Sequence, residues 1–412
     1  MPMQTDLFTY LDPSPSVGGQ DSVMSPEQGP LAGKSFVIQP GLSVRGWPAE
    51  AGSVALKGFV ALEDATAVER LIRAGATLVG SSRMSELGLG LKGDTTSRIL
   101  CDGLSDMALM TDMMGEARIA AAQAGAFAFK PTGGLVSRFG LIGLAPSLES
   151  CAVMARVPQD ITAAMGVMAG DDDRDFSMCG GQTPEFSPSA DSMDSMKKIG
   201  FVTESLIGLG EKEVRAFRNA LERLEASGFR ITEVGFSEYD LFRSVHRCIG
   251  AVEASSSCGK YDGVRYGHRA AAKNWNDMYL KTRSESFGAL VKAYLFQGAY
   301  FQFENYGAFE KACRIRARLV KTLNSLFAGV ASLAFPTRMA GDHDGPSTGL
   351  EGLFRDFVLT LPANVAGIPA VQIPGYCTDG DADYGLQLFG PRLSDASLLA
   401  VAARLSRTSK GD

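Results

Sequence analysis

The alternation of apolar and polar positions predicts strands and helices that follow one another along most of the chain. Residues 34–40 form a short run rich in β-formers, and residues 64–75 form an amphipathic helix that begins at Asp64 and ends at Gly75. Residues 76–80 are typical of a buried strand. A strand, a helix and a strand in this order predict a sheet with helices on its faces.

A second strand–helix–strand unit is predicted further along, at residues 198–203, 211–227 and 229–234. The other elements are expected as core strands at residues 107–112, 332–336, 370–374 and 384–389, and as helices at residues 159–168, over most of 241–330 and at 395–405. The strands are dispersed and interleaved with helices. The pattern therefore predicts an α/β fold with a single large mixed sheet.

The chain of 412 residues is long enough for one large domain or two. Residues 1–33 are rich in Pro, Gly, Ser and Asp, which predicts a flexible N-terminal arm. Because the predicted strands run through the remainder without an internal repeat, we expect residues 34–412 to form one domain.

The charge balance argues against direct nucleic-acid binding. Charged residues make up 21% of the chain and the formal net charge is -6, whereas nucleic-acid-binding surfaces are strongly basic. Any RNA would have to be held by another subunit. The N-terminal sequence lacks the regions of a signal peptide, and no apolar run approaches a membrane span of ~18 residues. We therefore expect a cytoplasmic protein that does not associate with membranes.

The seven cysteines and three histidines do not form a metal-ligand motif. No two cysteines have the CxxC spacing, and the histidines are far from any ligand spacing. An odd number of cysteines without a disulfide framework is typical of reduced thiols. We expect neither a metal site nor another cofactor.

Two segments, residues 111–122 and 127–141, resemble the amidase signature family. In that family the first is a TDTGGSIR-type loop, and the second is a GLKPTxGRVSRYGL-type strand and turn. Within the family the chain is most similar to the A subunit of the glutamyl-tRNA(Gln)/aspartyl-tRNA(Asn) amidotransferase. Further matches lie in the same order at residues 64–66, 74–80, 84–87, 261–267, 281–285, 361–370 and 385–388. The resemblance implies the amidase signature fold, a mixed sheet of roughly eleven strands covered by helices on both faces.

The resemblance also implies a Ser–Ser–Lys mechanism, whose positions are degenerate in this chain. In the family a serine hydroxyl attacks the amide carbon, a second serine on a cis peptide relays the proton, and a neutral lysine is the base. Gln39 stands in place of the lysine, and an amide cannot accept that proton. Glu116 replaces the nucleophile in a loop that supplies N–H groups to the oxyanion, where a carboxylate would repel the developing negative charge.

The segment that carries the relay serine is contracted. Only residues 91–111 separate Gly90 from Asp112, and the family's GGSSGGS segment is not recognisable there. Loop hydroxyls usually satisfy backbone groups, so relocated catalytic residues are the less favoured interpretation. The candidates for relocation are Thr95, Thr96, Ser97 and Cys101 as nucleophile and Lys34 and Lys92 as base.

The substrate side is partly retained, as the resemblance implies. A Tyr-Gly-Tyr-Arg-type segment and a downstream arginine hold glutamine in the family's amidotransferases, and His268 and Arg316 occupy those positions here. The family also places a carboxylate just before its Leu-Pro motif, where this chain has Phe357 with Asp356 one residue away. Arg118, His268, Arg316 and Asp356 are therefore the candidate substrate-binding residues. Arg316 is equally typical of a solvated, basic helix face.

Two functions remain open at this point. The favoured one is a catalytically inactive paralogue of the amidotransferase A subunit that serves as a binding or scaffolding component with B- and C-type partners. In it, Glu116 would be a solvated or ion-paired carboxylate in a vacated pocket. The alternative is a working amidotransferase component or amidase with relocated residues, in which Glu116 carries new chemistry beside Arg118. A third possibility is a decaying gene product.

Overall fold

The computed structural model describes residues 5–13, 29–178, 180–181, 183–186, 197–339, 349–380 and 382–408. The strands in chain order are β1 Phe8–Leu11, β2 Ser35–Ile38, β3 Thr77–Ser82, β4 Met107–Asp112, β5 Phe127–Lys130, β6 Ser150–Ala155, β7 Lys198–Val202, β8 Arg230–Val234, β9 Ser332–Pro336, β10 Ala370–Ile373, β11 Thr378–Asp379, β12 Ala382–Asp383 and β13 Leu386–Phe389.

The α-helices of the described residues in chain order are α1 Thr66–Arg73, α2 Thr96–Cys101, α3 Glu116–Gln123, α4 Pro158–Met168, α5 Glu211–Ala226, α6 Leu241–Ser257, α7 Trp275–Ser286, α8 Ala289–Ala299, α9 Tyr306–Phe327, α10 Gly349–Asp356, α11 Leu361–Ala366 and α12 Asp395–Thr408. A π-helical turn, Tyr300–Glu304, joins α8 to α9.

One mixed sheet of 11 strands organises the protein, in the order β1-β3-β2-β4-β6-β5-β10-β13-β9-β7-β8. Parallel pairs join β2 to β3 and β4, and β7 to β8 and β9, whereas the central strands pair antiparallel. The parallel pairs have a helix in their crossovers, as in other α/β folds. The predicted α/β fold with a single large mixed sheet is therefore confirmed.

Helices cover both faces of this sheet because successive residues of its strands point to opposite sides. In β2, Phe36 and Ile38 pack in one apolar cluster and Val37 packs in another. The first cluster is completed by apolar side chains of α1, α4, α5 and α12. The opposite face packs against α2 and α3 and, towards β9 and β13, against the helices between residues 241 and 366.

The N-terminal segment differs from its prediction. Residues 1–33 were expected to be a flexible arm, but Phe8–Leu11 forms strand β1 and pairs antiparallel with β3 at one edge of the sheet. The side chains of Leu7 and Phe8 are buried. The prediction is therefore wrong for these residues, while residues 1–4 and 14–28 lie outside the described part of the chain. The boundary of the domain at residue 34 moves accordingly.

Within the described ranges, no helix combines the length and the apolar character that a bilayer crossing requires.

Candidate functional site

The candidate site lies where β4 turns into α3. The strand ends at Asp112, and Met113 and Met114 lead to Gly115, whose φ is 124°. L-residues with a side chain rarely adopt this conformation. A Cβ atom at this position would also lie 2.2 Å from Thr360. Glycine therefore permits a tight turn in which several backbone N–H groups point to one place.

Glu116 occupies the focus of those N–H groups. Its Oε2 atom accepts hydrogen bonds from the backbone N–H groups of Met113 at 2.8 Å, Met114 at 2.7 Å and Gly115 at 3.1 Å. Its Oε1 atom accepts one from Gly90 at 3.3 Å. The side chain is 1% exposed. The expected solvated or ion-paired carboxylate is therefore wrong, because backbone donors hold Glu116 in a dry interior.

Burial changes the acidity of this carboxyl. Removal from water disfavours the charged form, and the nearby Asp112 carboxylate adds to that effect. Together they raise the pKa of Glu116 to about 7, although the backbone N–H groups of Met113 and Met114 favour the anion. Glu116 is therefore a mixture of neutral and charged forms near neutral pH.

Gln39 closes the other side of the site. It is buried at the end of β2, and its Oε1 accepts hydrogen bonds from the N–H of Thr111 at 2.9 Å and from its hydroxyl at 3.1 Å. Its Nε2 donates to Oδ2 of Asp94 at 2.6 Å. Burial raises the pKa of Asp94 to about 6. Both ends of the amide are hydrogen-bonded, and the group carries no basic atom that replaces a lysine.

The contracted segment contributes to the packing of this region. Asp94, which lies in it, contacts Gln39, and Gly90, which directly precedes it, contacts Glu116. Apolar side chains pack beside them, since one buried cluster contains Leu87, Leu89, Met113, Met114, Leu353, Phe354 and Phe357. Phe357, at the position where the family has a carboxylate, is therefore part of the core. As far as the described residues show, the surroundings of Glu116 and Gln39 are packed.

Arg118, one of the candidate substrate-binding residues, makes its hydrogen bonds within the protein. The side chain is fully buried, and its five N–H donors all bind the protein itself. Two donate to the Asp112 carboxylate at 3.0 and 3.1 Å, and the others donate to the Thr360 carbonyl and to the side-chain oxygens of Gln387 and Asn364. No donor is left for a ligand.

The three other candidate substrate residues are held by different neighbours. His268 contacts Glu285 at 2.6 Å on the surface. Arg316 is half-buried, and it donates to the Val365 carbonyl at 2.7 Å and to Ser147. Burial lowers the pKa of this guanidinium. Asp356 is at the exposed end of α10, beside Arg355. These contacts do not gather the three side chains around Glu116.

The candidates for relocated catalysis also have local partners. Lys34 forms an ion pair with Asp160 at 2.8 Å. The hydroxyl of Thr95 donates to the Leu7 carbonyl, and that of Thr96 contacts Ser82 at 2.7 Å. The Cys101 thiol donates to the Ala124 carbonyl, and burial raises the pKa of this thiol. Lys92 is exposed and Ser97 half-buried. The Thr96 hydroxyl also hydrogen-bonds the Asp94 carboxyl, whereas the described contacts of Thr95 and Cys101 do not include a base.

Two buried titratable residues near the site were not singled out from the sequence. Lys130, on β5, donates to the Pro131 carbonyl at 2.8 Å, and burial lowers the pKa of its ammonium group to about 7. His246, on α6, lies 2.9 Å from the Met113 carbonyl, and burial lowers its pKa to about 4. Lys130 lies in residues 127–141, the second of the two segments that resemble the family. A charged residue inside the apolar run of that segment was the signal by which the sequence could have identified it. His246 has no comparable signal.

The described part of the chain contains no group of three or more His, Cys, Asp or Glu side chains arranged to hold a metal ion.

Comparisons with known proteins agree with this architecture. A family model described as Amidase matches residues 18–99 and 99–399. The chain is 31% identical to the A subunit of the glutamyl-tRNA(Gln) amidotransferase from Symbiobacterium thermophilum, over 93% of this chain and 84% of that one. It is also 31% identical to the corresponding protein of Haloarcula marismortui, over 94% and 98% respectively. The crystal structure of the same component from Thermotoga maritima superposes with a TM-score of 0.72 at 21% identity, covering 91% of this chain and 83% of that one. The chain therefore belongs to the amidase family.

Proposed function

We propose that this protein is a catalytically inactive member of the amidase family that serves as a binding or scaffolding subunit. The observation that carries the proposal is the position of Glu116. Its carboxylate accepts the N–H groups of Met113, Met114 and Gly115, where the family mechanism requires donors for an oxyanion. A site whose donors are already taken by an acidic side chain cannot stabilise a tetrahedral intermediate.

The magnitudes support this interpretation. Loss of a single oxyanion donor typically lowers kcat by about 100- to 1,000-fold, and here three backbone donors are engaged by Glu116. Glu116 is almost inaccessible, so a substrate carbonyl has no route to its oxygens without a rearrangement of the core. Gln39 supplies no base to activate a hydroxyl or a water molecule.

The first prediction concerns hydrolysis. The purified protein is expected to release no ammonia from L-glutamine, L-asparagine or small aliphatic amides above the rate of its Glu116→Ala variant. An ammonia-coupled assay measures the rate of ammonia release by the protein alone and by the protein mixed with amidotransferase B- and C-type subunits. The amidotransferase A subunit of Symbiobacterium thermophilum, which is 31% identical, serves as the positive control under the same conditions.

A double variant tests whether restoring family residues restores activity. Gln39→Lys with Glu116→Ser restores two of the three family residue types, yet we expect it to stay inactive because the segment of the relay serine is absent. Turnover by the natural protein that disappears in Glu116→Ala would overturn the proposal and establish glutamate-based catalysis.

A second candidate function is an amidase with relocated residues, and the shifted pKa values of two buried groups favour it. Burial brings the pKa of Glu116 and that of Lys130 to about 7, and such values are frequent among catalytic acids and bases. The two candidates give opposite results in the ammonia assay. Turnover that is lost in both Glu116→Ala and Lys130→Met would support this second function.

The proposed scaffolding role predicts that the protein binds partner subunits. The curated relatives are subunits of an amidotransferase by name, so we expect this chain to associate with B- and C-type subunits. Co-expression followed by size-exclusion chromatography tests it. Elution of this chain separately from both partners, under conditions where the Symbiobacterium protein co-elutes with them, would contradict this part of the proposal.

A further inference from the structure

Helix α8 is apolar on all of its sides. Its 11 residues, Ala289–Ala299, include a single charged side chain, that of Lys292. One face is covered by α6, since Tyr294 and Gly298 are buried and a Cβ atom at Gly298 would overlap the Ala251 carbonyl. A helix with apolar residues all round is normally buried all round. The outer face of α8 therefore lacks the partner that its sequence requires.

Four apolar residues form a ridge along this outer face, which we term the outer ridge: Ala293, Phe296, Tyr300 and Phe303. The first two lie in α8, and the last two lie in the π-helical turn that follows it. All four are exposed, and the three aromatic side chains have exposed fractions of 74%, 52% and 74%. They follow one another at intervals of three, four and three residues, which is the spacing of a helix seam that packs against another helix. The ridge is therefore built like a helix–helix interface.

The exposed area of the outer ridge is large for a single surface patch. An aromatic side chain offers roughly 150–250 Å² of surface, and most of that is exposed here. The three rings together present roughly 300–500 Å², the size of the largest apolar patch on a typical monomer. Two such patches in contact would supply about half of the ~1,200–2,000 Å² that a specific interface buries. An interface of that size is reached when the residues around the ridge join the contact.

The order of residues in the outer ridge favours a second copy of this chain as its occupant. A two-fold dimer requires that one residue contacts a second and that the second contacts the first in return. The intervals of three, four and three are the same in both directions, so two antiparallel ridges place Phe296 opposite Tyr300 and Ala293 opposite Phe303. Each small residue then meets a large one, which is the arrangement that packs well.

The charges at the ends of the outer ridge favour the same arrangement. Lys292 stands at one end, and Glu304, which is exposed, stands at the other. An antiparallel copy brings each lysine to the end of the second copy that carries Glu304, whereas a parallel copy would bring like charges together. Flanking charges of this kind set the orientation of paired helices.

We propose that this protein forms a two-fold dimer through the outer ridge, in which α8 and its π-helical turn pack antiparallel on the same elements of a second copy. The ridge includes none of the residues that hold Glu116. The inference therefore goes beyond the proposed function and does not depend on the loss of amidase activity.

Sedimentation equilibrium of the full chain at micromolar concentrations tests the dimer. We expect a single equilibrium between monomer and dimer. Phe296→Ser and Phe303→Ser are each expected to raise the dissociation constant about 30-fold, the effect of losing one aromatic hot spot, and the double variant is expected to be monomeric. Because both side chains are exposed, the melting temperatures are expected to equal that of the natural protein.

Phe176→Ser is the matched control. Phe176 is fully exposed, in a segment that contacts α1 through Asp172 and Thr66, on the face of the sheet opposite to α8. This variant is expected to leave the dissociation constant unchanged. A chain that stays monomeric up to its solubility limit overturns the proposal, as does a dimer that the ridge variants leave intact. A monomer whose co-elution with B- and C-type subunits is lost in Phe303→Ser would assign the ridge to a different partner and overturn it as well.

Cysteine cross-linking tests the orientation. In the antiparallel pair, residue 293 of each copy lies beside residue 303 of the other and about 15 Å from the other residue 293, beyond the reach of a disulfide. A mixture of Ala293→Cys and Phe303→Cys, oxidised with copper–phenanthroline, is therefore expected to give more disulfide-linked dimer than either variant alone. Efficient cross-linking of Ala293→Cys by itself would overturn the antiparallel arrangement.

Discussion

Replacement of Asp112 by alanine is expected to lower the free energy of unfolding by about 3–5 kcal/mol, the cost of leaving a buried charge without its partner. Asp112 and Arg118 are both fully buried and joined at 3.0 Å. The guanidinium keeps the pKa of Asp112 below its usual range in spite of burial. Asn364 donates to the backbone carbonyl and to the carboxylate of Asp112, and the change removes the second of these acceptors while the backbone carbonyls of residues 112 and 148 remain. Equilibrium unfolding in urea measures the effect.

Two further variants test the cause of this destabilisation. Asp102→Ala removes an exposed ion pair with Arg98, at 3.2 Å, and is expected to cost at most about 0.5 kcal/mol. Asp112→Ala combined with Arg118→Met removes both buried charges, so we expect the double variant to be more stable than Asp112→Ala alone. Equal losses for Asp112→Ala and Asp102→Ala would contradict the buried network.

The stability difference between the natural protein and its Glu116→Gln variant is expected to depend on pH. Burial raises the pKa of Glu116 from 4.5 to about 7 in the folded state. Between these values the folded protein holds a proton that the unfolded chain has released, so stability falls as the pH rises. The contribution is fully present below pH 4.5 and lost above about pH 7. Between pH 4.5 and about pH 7, the contribution of Glu116 to the free energy of unfolding changes by an amount on the order of 3 kcal/mol.

Comparison with the variant isolates this effect from other groups that face the site. His246 has a lowered pKa, so its contribution increases as the pH rises from about 4 to 6.5 and opposes that of Glu116. Asp94, with a raised pKa, acts in the same direction as Glu116. Both residues remain in Glu116→Gln, so their own contributions cancel in the difference. Urea unfolding at half-unit pH steps gives the measurement.

The control for the pH series is Glu222→Gln on the exposed face of α5. Its stability difference from the natural protein is expected to be flat over the same range, because this carboxyl is hydrated in both states. A flat difference for Glu116→Gln as well would contradict the buried, N–H-bound carboxyl.

The sequence predicted the fold well where the patterning was strong. Strands and helices with clear periodicity, such as α5 and β9, lie within a few residues of their predicted positions. Strand β6, all six of whose residues are buried, was not among the predicted strands. Strand β1 was missed because it is a short stretch in a polar segment and depends on pairing with β3, 69 to 74 residues away.

The environment of the site could not be predicted from the sequence. The motifs indicated Gln39 and Glu116, but the hydrogen bonds that join Gln39 to Thr111 and Asp94 link residues 72 and 55 positions apart in the chain. The conformation of the contracted loop decides whether a lost side chain leaves a void or a packed core. The contacts of Arg118 likewise depend on acceptors 242 to 269 residues away.

Strand β1 has a consequence for how the protein behaves in solution. It is only four residues long and pairs with residues 80–82, one half of the six-residue β3. An uncovered strand edge is a template on which a second molecule adds its own strand, which is the first step of edge-to-edge aggregation. Removal of residues 1–13 is therefore expected to expose this edge together with the apolar side chains that pack against Leu7 and Phe8, and to make the protein self-associate at high concentration, as light scattering would detect.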